Sequence, residues 1–366
     1  MPLTLIILTL ILLFGLLSYY LILSCLNLPH NLPKQKDKVA GVSLIICAKN
    51  EIENLQNHLP IWLKQRGIEF EFIVVNDGSS DGSKEFLEDL KEKTDKLKVL
   101  HLENNSKRSL KGKRHALLKG VEQASYDYIV LSDADCYPTS ENHLLSMSMY
   151  FAEGIDIVLG YSPYEKKPGI LNKMIQFETT LTAIQYLSFA RVGFPYMGVG
   201  RNLAYRKKVL FEEVFMASNV SLGGDDDLMI AELANKTNTA ISINPESHVF
   251  SIPPISFSEW MKQKHRHYST GKYYKGLKMM AVGGLGTLTF LFYIMMFILL
   301  LVDINPLIVL GLYLSKLILF VMFNYRNFKV LKNIEILLQV VFLDVLWILF
   351  LVYNHLKALK GNNGWS

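Results

Sequence analysis

Charge is absent from the first part of the chain, because residues 1–30 of the 366 carry no formally charged side chain. Cysteine is scarce as well, since Cys25, Cys47 and Cys136 are too few and too scattered for a disulfide framework. This scarcity fits a reducing compartment. The net charge of +5 is modest, so charge gives no reason to expect a nucleic-acid partner.

The uncharged N-terminal stretch contains a run long enough to cross a membrane. A spanning helix needs about 20 apolar residues, and residues 3–26 provide them. A cleaved signal peptide is disfavoured because the run is too long, no basic residue precedes it and no small-residue cleavage site follows it. Three further apolar runs lie near the C-terminus, at residues 279–302, 306–323 and 336–353.

Basic residues around the apolar runs predict the orientation, because loops rich in lysine and arginine stay in the cytoplasm. Such residues follow the first run and separate the last two: Lys34, Lys36, Lys38, Arg326, Lys329 and Lys332. The turn between the second and third runs carries Asp303 and no basic residue, which places residues 34–278 in the cytoplasm. The tail carries Lys357 and Lys360 but would lie outside the cytoplasm in this orientation, which disagrees with the rule. The alternative is that the last run lies at the membrane interface and does not span it.

These patterns predict a multi-pass protein of the cell inner (plasma) membrane. Its expected parts are a transmembrane helix in residues 1–30, a cytoplasmic domain in 41–270, and a membrane region of two or three helices in 279–353. Lys316 and Asp344 lie near the middle of the last two runs. Either they form an ion pair, or Lys316 extends to the membrane surface and Asp344 faces a polar crevice.

The central region alternates predicted strands with predicted helices. Apolar runs with β-branched residues predict strands at residues 42–47, 70–75, 97–102, 126–132 and 155–159. Helical spacing or charge predicts helices at residues 51–65, 83–93, 112–124 and 140–151. This alternation is typical of a largely parallel sheet with covered faces. Ligands bind at the carboxyl ends of such strands, so the residues that follow the strands are the candidates for a site.

Carboxylates follow two of the predicted strands. After the second strand, Asp77 in the sequence Asn-Asp-Gly-Ser-Ser-Asp either grips a base or ribose, or belongs to a turn that only caps the next helix. After the fourth strand come Asp133 and Asp135. Two carboxylates two residues apart in a turn suit a hard cation such as Mg²⁺ or Mn²⁺.

Three more charged segments stand out. Lys111 and Lys113 flank a glycine at the start of a predicted helix, where they either attract phosphate or form a solvated helix face. The acidic cluster 225–227 precedes an apolar helical run, and it binds metal, holds a base or caps the helix, although capping accounts for one carboxylate of the three. Residues 260–267 are basic and amphipathic, which is also typical of a contact with anionic headgroups.

In order and spacing, these motifs resemble the family-2 glycosyltransferases with a GT-A fold, especially the membrane-anchored ones related to polysaccharide synthases. The resemblance spans about residues 41 to 270. Its motifs are the opening strand and Asn-Glu turn ending at Glu51, the nucleoside-contacting segment 76–81, the metal-binding Asp133-Ala134-Asp135, the base segment Gly224-Asp225-Asp226, and Gln263–His267, which is similar to the Gln-x-x-Arg-Trp motif. Gly200–Ala204 resembles an acceptor-side segment.

The resemblance implies an α/β fold with a Rossmann-like mixed sheet, flanking helices, and transmembrane helices at both ends. It also implies a metal-dependent transfer of a sugar from a nucleotide-sugar donor, with inversion in a single displacement. The implied base is Asp226, or Asp225 by an alternative alignment of the motif. The other implied roles are Mg²⁺ or Mn²⁺ binding by Asp133 and Asp135; donor contacts by Glu51, Asp77, Lys111, Lys113 and Asp133; and contacts to acceptor or diphosphate by Gln263, Arg266, His267 and Arg201.

Three functions fit these implications. In the first, the protein transfers the sugar to a lipid-linked or glycan acceptor at the membrane. In the second, the acceptor is a polyprenyl phosphate. In the third, the protein binds nucleotide without catalysis. Intact Asp133, Asp135 and Asp226 argue against the last function. His267 stands where the family's motif has a tryptophan that lines the acceptor end of the site. This difference argues against processive synthesis. Residues 171–194 are apolar with polar interruptions, which suggests an interfacial helix that guides the acceptor.

Overall fold

A computed structural model gives the structure of the protein and describes residues 2–28, 39–103, 113–151, 153–211, 225–268 and 271–360. The chain divides into two compact units. The helical unit comprises Met1–Pro29, Lys166–Val192 and Pro254–Ser366, and the sheet unit comprises His30–Glu165 and Gly193–Pro253.

The described strands all belong to the sheet unit. They are β1 Gly41–Ala48, β2 Glu69–Asn76, β3 Leu97–His101, β4 Tyr128–Asp133, β5 Cys136–Pro138, β6 Ile157–Leu159, β7 Leu203–Arg206, β8 Thr239–Ile241 and β9 Val249–Ser251. Seven of them form one sheet in the order β3-β2-β1-β4-β7-β6-β8, and β5 pairs with β9 in a separate antiparallel pair.

The described helices belong to both units. They are α1 Pro2–Ser24, α2 Ile52–Trp62, α3 Ser83–Lys91, α4 Lys113–Gln123, α5 His143–Ser148, α6 Ile170–Arg191, α7 Asp225–Leu233, α8 Phe257–Tyr268, α9 Leu277–Leu301, α10 Pro306–Val330, α11 Ile334–Leu337 and α12 Val340–Lys360. Short 3-10 helices cover Cys25–Asn27, Gly200–Asn202, Lys207–Phe211, Pro245–Ser247 and Gly271–Tyr273.

The predicted alternation of strands and helices is confirmed from β1 to β6. The strands β3, β2, β1 and β4 are mutually parallel, as expected where helices connect neighbouring strands. Beyond β4 the sheet becomes mixed, because β7 runs antiparallel to both β4 and β6, while β8 is parallel to β6. The chain leaves the sheet unit for α6 between β6 and β7, so no simple strand–helix–strand crossover dictates the direction of β7.

Apolar strand residues form the core of the sheet unit. Leu44, Ile46, Phe72, Val74 and Val130 are fully buried, as expected for central parallel strands covered by helices on both faces. On the face covered by α4, a glycine allows the helix to approach closely. A Cβ added at Gly120 would lie 2.8 Å from Ile45 Cγ2, so a larger residue there would push α4 away from β1.

Long apolar helices make up much of the helical unit. Among the described helices, three are long and apolar enough to cross a membrane, at Leu3–Asn27, Leu277–Leu301 and Pro306–Val330. The helix α12 contains a shorter apolar stretch, Val340–Asn354. The expectation of apolar helices near both ends of the sequence is therefore confirmed, and their composition is consistent with membrane association.

Three polar side chains of α6, those of Thr180, Gln185 and Ser188, are buried within the helical unit. Gln185 Nε2 donates to Tyr19 OH at 3.2 Å, and Ser188 Oγ donates to the carbonyl of Leu23 at 2.8 Å. Asn333, which follows α10, donates to Thr180 Oγ1 at 2.8 Å. The helix thus packs among its neighbours with these polar side chains paired, and its position at the membrane interface stays a prediction.

Lys316 and Asp344 form an ion pair, which settles the alternatives that their positions left open. Lys316 Nζ contacts Asp344 Oδ2, and the two side chains are 0% and 4% exposed. Tyr293 OH on α9 donates to the same carboxylate oxygen. Three helices, α9, α10 and α12, therefore meet at one buried carboxylate, and each charge has a partner, as an apolar surrounding requires.

Removing one member of this buried pair should destabilise the helical unit. We expect Lys316→Met and Asp344→Leu each to lower the free energy of unfolding by about 3–5 kcal/mol, because each leaves an uncompensated charge. The triple variant that combines Lys316→Met and Asp344→Leu with Tyr293→Phe should recover most of the melting temperature in detergent. An exposed control is Lys166→Gln, which breaks contact with the half-exposed Glu335 and should cost less than about 1 kcal/mol. Equal losses in the single and combined variants would contradict the pairing.

Candidate active site

The turn after β4 brings three possible metal ligands together. One ligand atom each from Asp133, Asp135 and Cys136 lies within 4.8 Å of the others. Asp133 ends a strand of buried apolar residues, so the fold carries the acidic turn to the carboxyl edge of the parallel strands. This is the edge at which sheets of this kind bind ligands.

Buried side chains of α2 hold the backbone of this turn. His58 Nδ1 donates to the carbonyl of Ala134 at 2.9 Å, and Trp62 Nε1 donates to the carbonyl of Cys136 at 3.0 Å. One turn of helix separates the two donors, so they lie on the same face of α2. Sequence reasoning missed both residues, because an apolar helix face gives no sign of which carbonyl it will meet.

The electrostatics of the turn favour a cation. Burial raises the pKa of the Asp135 carboxyl, and the charge of Asp133 acts in the same direction. Burial also raises the pKa of Glu51, with smaller contributions from Asp135, Asp133 and Asp81, against a hydrogen bond from Asn54. Carboxylates that repel one another at one edge are stabilised by a hard divalent ion, so these residues fit Mg²⁺ or Mn²⁺.

A lysine ammonium lies against the first carboxylate of the turn. Lys113 is the first residue of α4, and its Nζ contacts Asp133 Oδ1 while both side chains remain partly exposed. A cation that binds Asp133 would therefore compete with this ammonium for the carboxylate. Lys111 lies outside the described residues. Lys119, further along the same helix, pairs with Glu122 at 2.7 Å and forms part of a solvated face.

The turn after β2 contains two aspartates with different surroundings. Asp81 accepts hydrogen bonds from the backbone N–H groups of Ile52 at 2.9 Å and Ser83 at 3.1 Å, so it caps both α2 and α3. Asp77 is 8% exposed, and its backbone N–H donates to the carbonyl of Ala48 at the end of β1. Capping thus accounts for Asp81, and Asp77 is the candidate for ligand binding.

Arg201 adds a positive charge to the same region of the sheet unit. Its Nε donates to Ser162 Oγ at 2.8 Å, and its guanidinium lies 4.8 Å from the centre of the Tyr164 ring. Ser132 Oγ, in β4, donates to the carbonyl of Arg201 at 3.1 Å. The charge of Arg201 opposes the effect of burial on the pKa of Asp135. The structure therefore brings Arg201 near the acidic turn.

The acidic cluster and the basic motif belong to helices. The helix α7 begins at Asp225, and the side chains of Asp225 and Asp226 lie outside the described part of the chain. Gln263, Arg266 and His267 lie on α8, which belongs to the helical unit.

Two buried contacts fix α8 within the helical unit. Lys264 Nζ donates to Glu178 Oε2 at 2.5 Å, and the two side chains are 9% and 6% exposed. One turn earlier, Trp260 stacks on Phe350 with ring centres 4.1 Å apart. These contacts use one face of α8, whereas Arg266 is exposed. Sequence reasoning missed the role of Lys264, because its partner lies 86 residues away in the sequence.

Comparison with known proteins agrees with this geometry. Residues 43–213 match the family model described as Glycosyl transferase family 2. The chain is 39% identical over 101 residues to a poly-beta-1,6-N-acetyl-D-glucosamine synthase of Staphylococcus epidermidis (strain ATCC 35984), over 28% of this chain and 23% of that protein. A synthase with the same description from Staphylococcus aureus (strain COL) is 36% identical over 99 residues, 27% of this chain and 23% of that protein.

The aligned stretch therefore covers less than a quarter of these curated relatives. Over a longer range, the fold is similar to that of a solved mannosyltransferase from Pyrobaculum calidifontis in complex with GDP-Man and Mn²⁺. The TM-score is 0.60 at 15% identity, covering 93% of this chain and 98% of the other. At that identity the likeness shows the fold alone. Residues 43–213 thus match a family-2 glycosyltransferase domain, the structure has the mixed sheet of a GT-A fold, and apolar helices lie near both ends of the sequence.

Replacing Lys113 with methionine should raise the affinity of the nucleotide-free protein for Mn²⁺. The ammonium competes with a cation for Asp133, and a unit charge at about 4 Å in a water-like medium contributes roughly 1 kcal/mol, or about fivefold in affinity. Electron paramagnetic resonance of free Mn²⁺ measures the effect. Lys119→Met on the same helix is the matched control and should leave the affinity unchanged. Equal Mn²⁺ affinities in wild type and Lys113→Met would contradict the competition.

Proposed function

We propose that this protein is an inverting glycosyltransferase that moves a sugar from a nucleotide-sugar donor to a lipid-linked or glycan acceptor at the cytoplasmic face of the membrane. The observation that carries the proposal is the acidic turn of Asp133 and Asp135, held by α2 at the carboxyl edge of a family-2 glycosyltransferase domain. The similarity to poly-beta-1,6-N-acetyl-D-glucosamine synthases supports an acceptor of this kind.

The proposed donor site uses the residues that follow three parallel strands. Asp77, after β2, binds the nucleoside. Glu51, after β1, lies close enough to Asp133 and Asp135 to interact with their charges. Asp133 and Asp135 would hold a divalent ion, Mg²⁺ or Mn²⁺, which would supply positive charge for the departing nucleoside diphosphate. Lys113, together with Lys111, adds positive charge for the phosphates.

The proposed reaction is a single displacement at the anomeric carbon. The acceptor hydroxyl oxygen attacks that carbon while its bond to the diphosphate oxygen breaks, so the configuration inverts. The hydroxyl proton passes to a carboxylate, for which we propose Asp226, with Asp225 as the alternative. The departing diphosphate carries away the electron pair of the broken bond and needs no general acid, because Lys113 and Arg201 supply positive charge.

The acceptor side of the proposal rests on α8 and the apolar helices. Gln263, Arg266 and His267 are proposed contacts to the acceptor or the diphosphate, and Lys264 fixes the rotation of the helix that carries them. Apolar helices near both ends suit an acceptor presented at a membrane. We place the cytoplasmic domain at residues 41–270, between membrane regions at 1–30 and 279–353, with the protein in the inner (plasma) membrane.

Release of nucleoside diphosphate from a panel of nucleotide sugars tests this proposal. The full chain, purified in detergent, is supplied with Mn²⁺ or Mg²⁺ and an extract of membrane lipids as the source of acceptor. We expect one donor to release its nucleoside diphosphate, and we expect release to stop when the metal is chelated. In Asp226→Asn, release should fall by at least about a hundredfold, because removal of a general base typically costs two to four orders of magnitude.

Two outcomes would count against the proposal in different ways. Nucleotide binding without release from any donor would favour a nucleotide-binding protein without catalysis. Release that proceeds in the presence of chelator, or that is equal in Asp135→Asn, would contradict the metal-dependent site. Glu122→Gln, on the solvated face of α4, should retain full release and controls for purification. A product that partitions with lipid would identify a polyprenyl-phosphate or other lipid acceptor.

A further inference from the structure

Arg201 lies near two carboxylates, yet its hydrogen bonds go to neutral groups. Its guanidinium is close enough to Asp133 and Asp135 to interact with their charges. The acceptors that it contacts are the hydroxyl and the carbonyl of Ser162, at 2.8 and 3.2 Å, and the hydroxyl of Tyr164 at 3.4 Å. These bonds use three of the five N–H donors of the side chain. Within the described part of the chain, no ion pair joins Arg201 to either carboxylate.

The hydroxyl of Ser162 is bonded on both sides, which fixes its orientation. It donates to the carbonyl of Val249 in β9 at 2.6 Å, so its hydrogen is used there and only its lone pairs face Arg201. The Nε–H of Arg201 supplies the matching hydrogen at 2.8 Å. Ser162 is buried, as is Tyr164. The serine therefore presents a fixed, uncharged acceptor to the guanidinium.

The segment 161–165, which carries both hydroxyls, is attached to β9 along its length. Its backbone bonds to that of β9 at Tyr161, Pro163 and Glu165, with N···O distances of 3.0 to 3.3 Å. The strand β9 also pairs with β5, which begins directly after the acidic turn. Backbone hydrogen bonds therefore connect the two hydroxyls to the acidic turn through β9 and β5.

The backbone of Arg201 is fixed independently of its side chain. Its carbonyl accepts a hydrogen bond at 3.1 Å from the hydroxyl of Ser132, the residue before Asp133 in β4. The next residue, Asn202, is fully buried, and its Nδ2 donates to the carbonyl of Tyr161 at 2.7 Å. Loss of the acceptors in the segment 161–165 would therefore free the guanidinium while the backbone of Arg201 stayed beside the end of β4.

We propose that Ser162 and Tyr164 are positioning residues that hold Arg201 off the acidic turn, so that its carboxylates stay available to a divalent ion. This inference rests on the proposed function, in which the turn binds that ion. Without the two hydroxyls, buried N–H groups of Arg201 would lack acceptors, which is costly. The carboxylates of Asp133 and Asp135 are charged acceptors in the same region, and arginine binds carboxylates strongly. The freed guanidinium would therefore close on the acidic turn and compete with the ion.

Binding of Mn²⁺ to the nucleotide-free full chain in detergent tests the inference without reference to activity. Ser162→Ala combined with Tyr164→Phe removes both hydroxyls and keeps the aromatic ring. The affinity for Mn²⁺, measured by electron paramagnetic resonance of the free ion, should fall about fivefold, the effect of a unit charge at about 4 Å in a water-like medium. Ser162→Ala alone should give a smaller fall. Ser242→Ala removes another buried, hydrogen-bonded serine hydroxyl of the sheet unit and should leave the affinity unchanged.

The variant Arg201→Met separates positioning from general destabilisation. In that background the loss of both hydroxyls should leave the Mn²⁺ affinity unchanged, because no guanidinium remains to close on the turn. An equal fall in both backgrounds would overturn the inference, since the hydroxyls would then act without Arg201. Equal affinities in wild type and the Ser162→Ala, Tyr164→Phe double variant would overturn it alone, with Mn²⁺ binding still lost in Asp135→Asn. An Mn²⁺ affinity that Asp135→Asn leaves unchanged would overturn it together with the proposed metal site.

Discussion

Two carboxylates close together repel each other, and a fold can present them only on a backbone that resists the repulsion. In this protein the backbone after β4 is held at two successive points, where His58 and Trp62 of α2 bind the carbonyls of Ala134 and Cys136. Burial raises the pKa of Asp135, and the charge of Asp133 acts in the same direction while the turn keeps its place. A cation at this place, from lysine or from a metal, stabilises the arrangement.

The turns after β2 and β4 lie at the same edge of the sheet, and contacts through α2 connect them. Asp81 caps α2 and α3 at once, so the helix that holds the acidic turn is itself tied to the turn after β2. Displacement of one turn would therefore disturb the other. This coupling explains how short, polar loop segments can keep a defined geometry, which catalysis by positioned charges requires.

The helical unit obeys a different constraint, because its apolar surroundings offer few alternative partners for polar groups. The charged pairs Lys316–Asp344 and Lys264–Glu178 are both buried and both matched. Lys316 and Asp344 lie 28 residues apart on successive long helices, whereas Lys264 and Glu178 lie 86 residues apart. Such pairs contribute more to the choice of one packing arrangement than to net stability, because desolvation offsets most of the attraction.

Much of the fold could be predicted from the sequence, for local reasons. Residues 42–47 and 126–132 form strands because they are short apolar runs with β-branched residues, and the parallel arrangement places Asp77 and Asp133 at one edge. The direction of β7 could not be predicted, because a four-residue strand that follows the excursion into α6 has no local signal for its partner. The contacts of His58, Arg201 and Lys264 were also hidden, since each depends on segments brought together by the fold.

The position of a bound Mn²⁺ ion tests the account most directly. A structure of the full chain with the nucleoside diphosphate of its donor and Mn²⁺, analysed by anomalous scattering, would locate the ion without reference to activity. The account predicts an ion coordinated by the carboxylates of Asp133 or Asp135 and by the diphosphate, with Lys113 displaced from Asp133. An ion bound elsewhere, or a nucleotide bound away from Asp77 and the acidic turn, would contradict it.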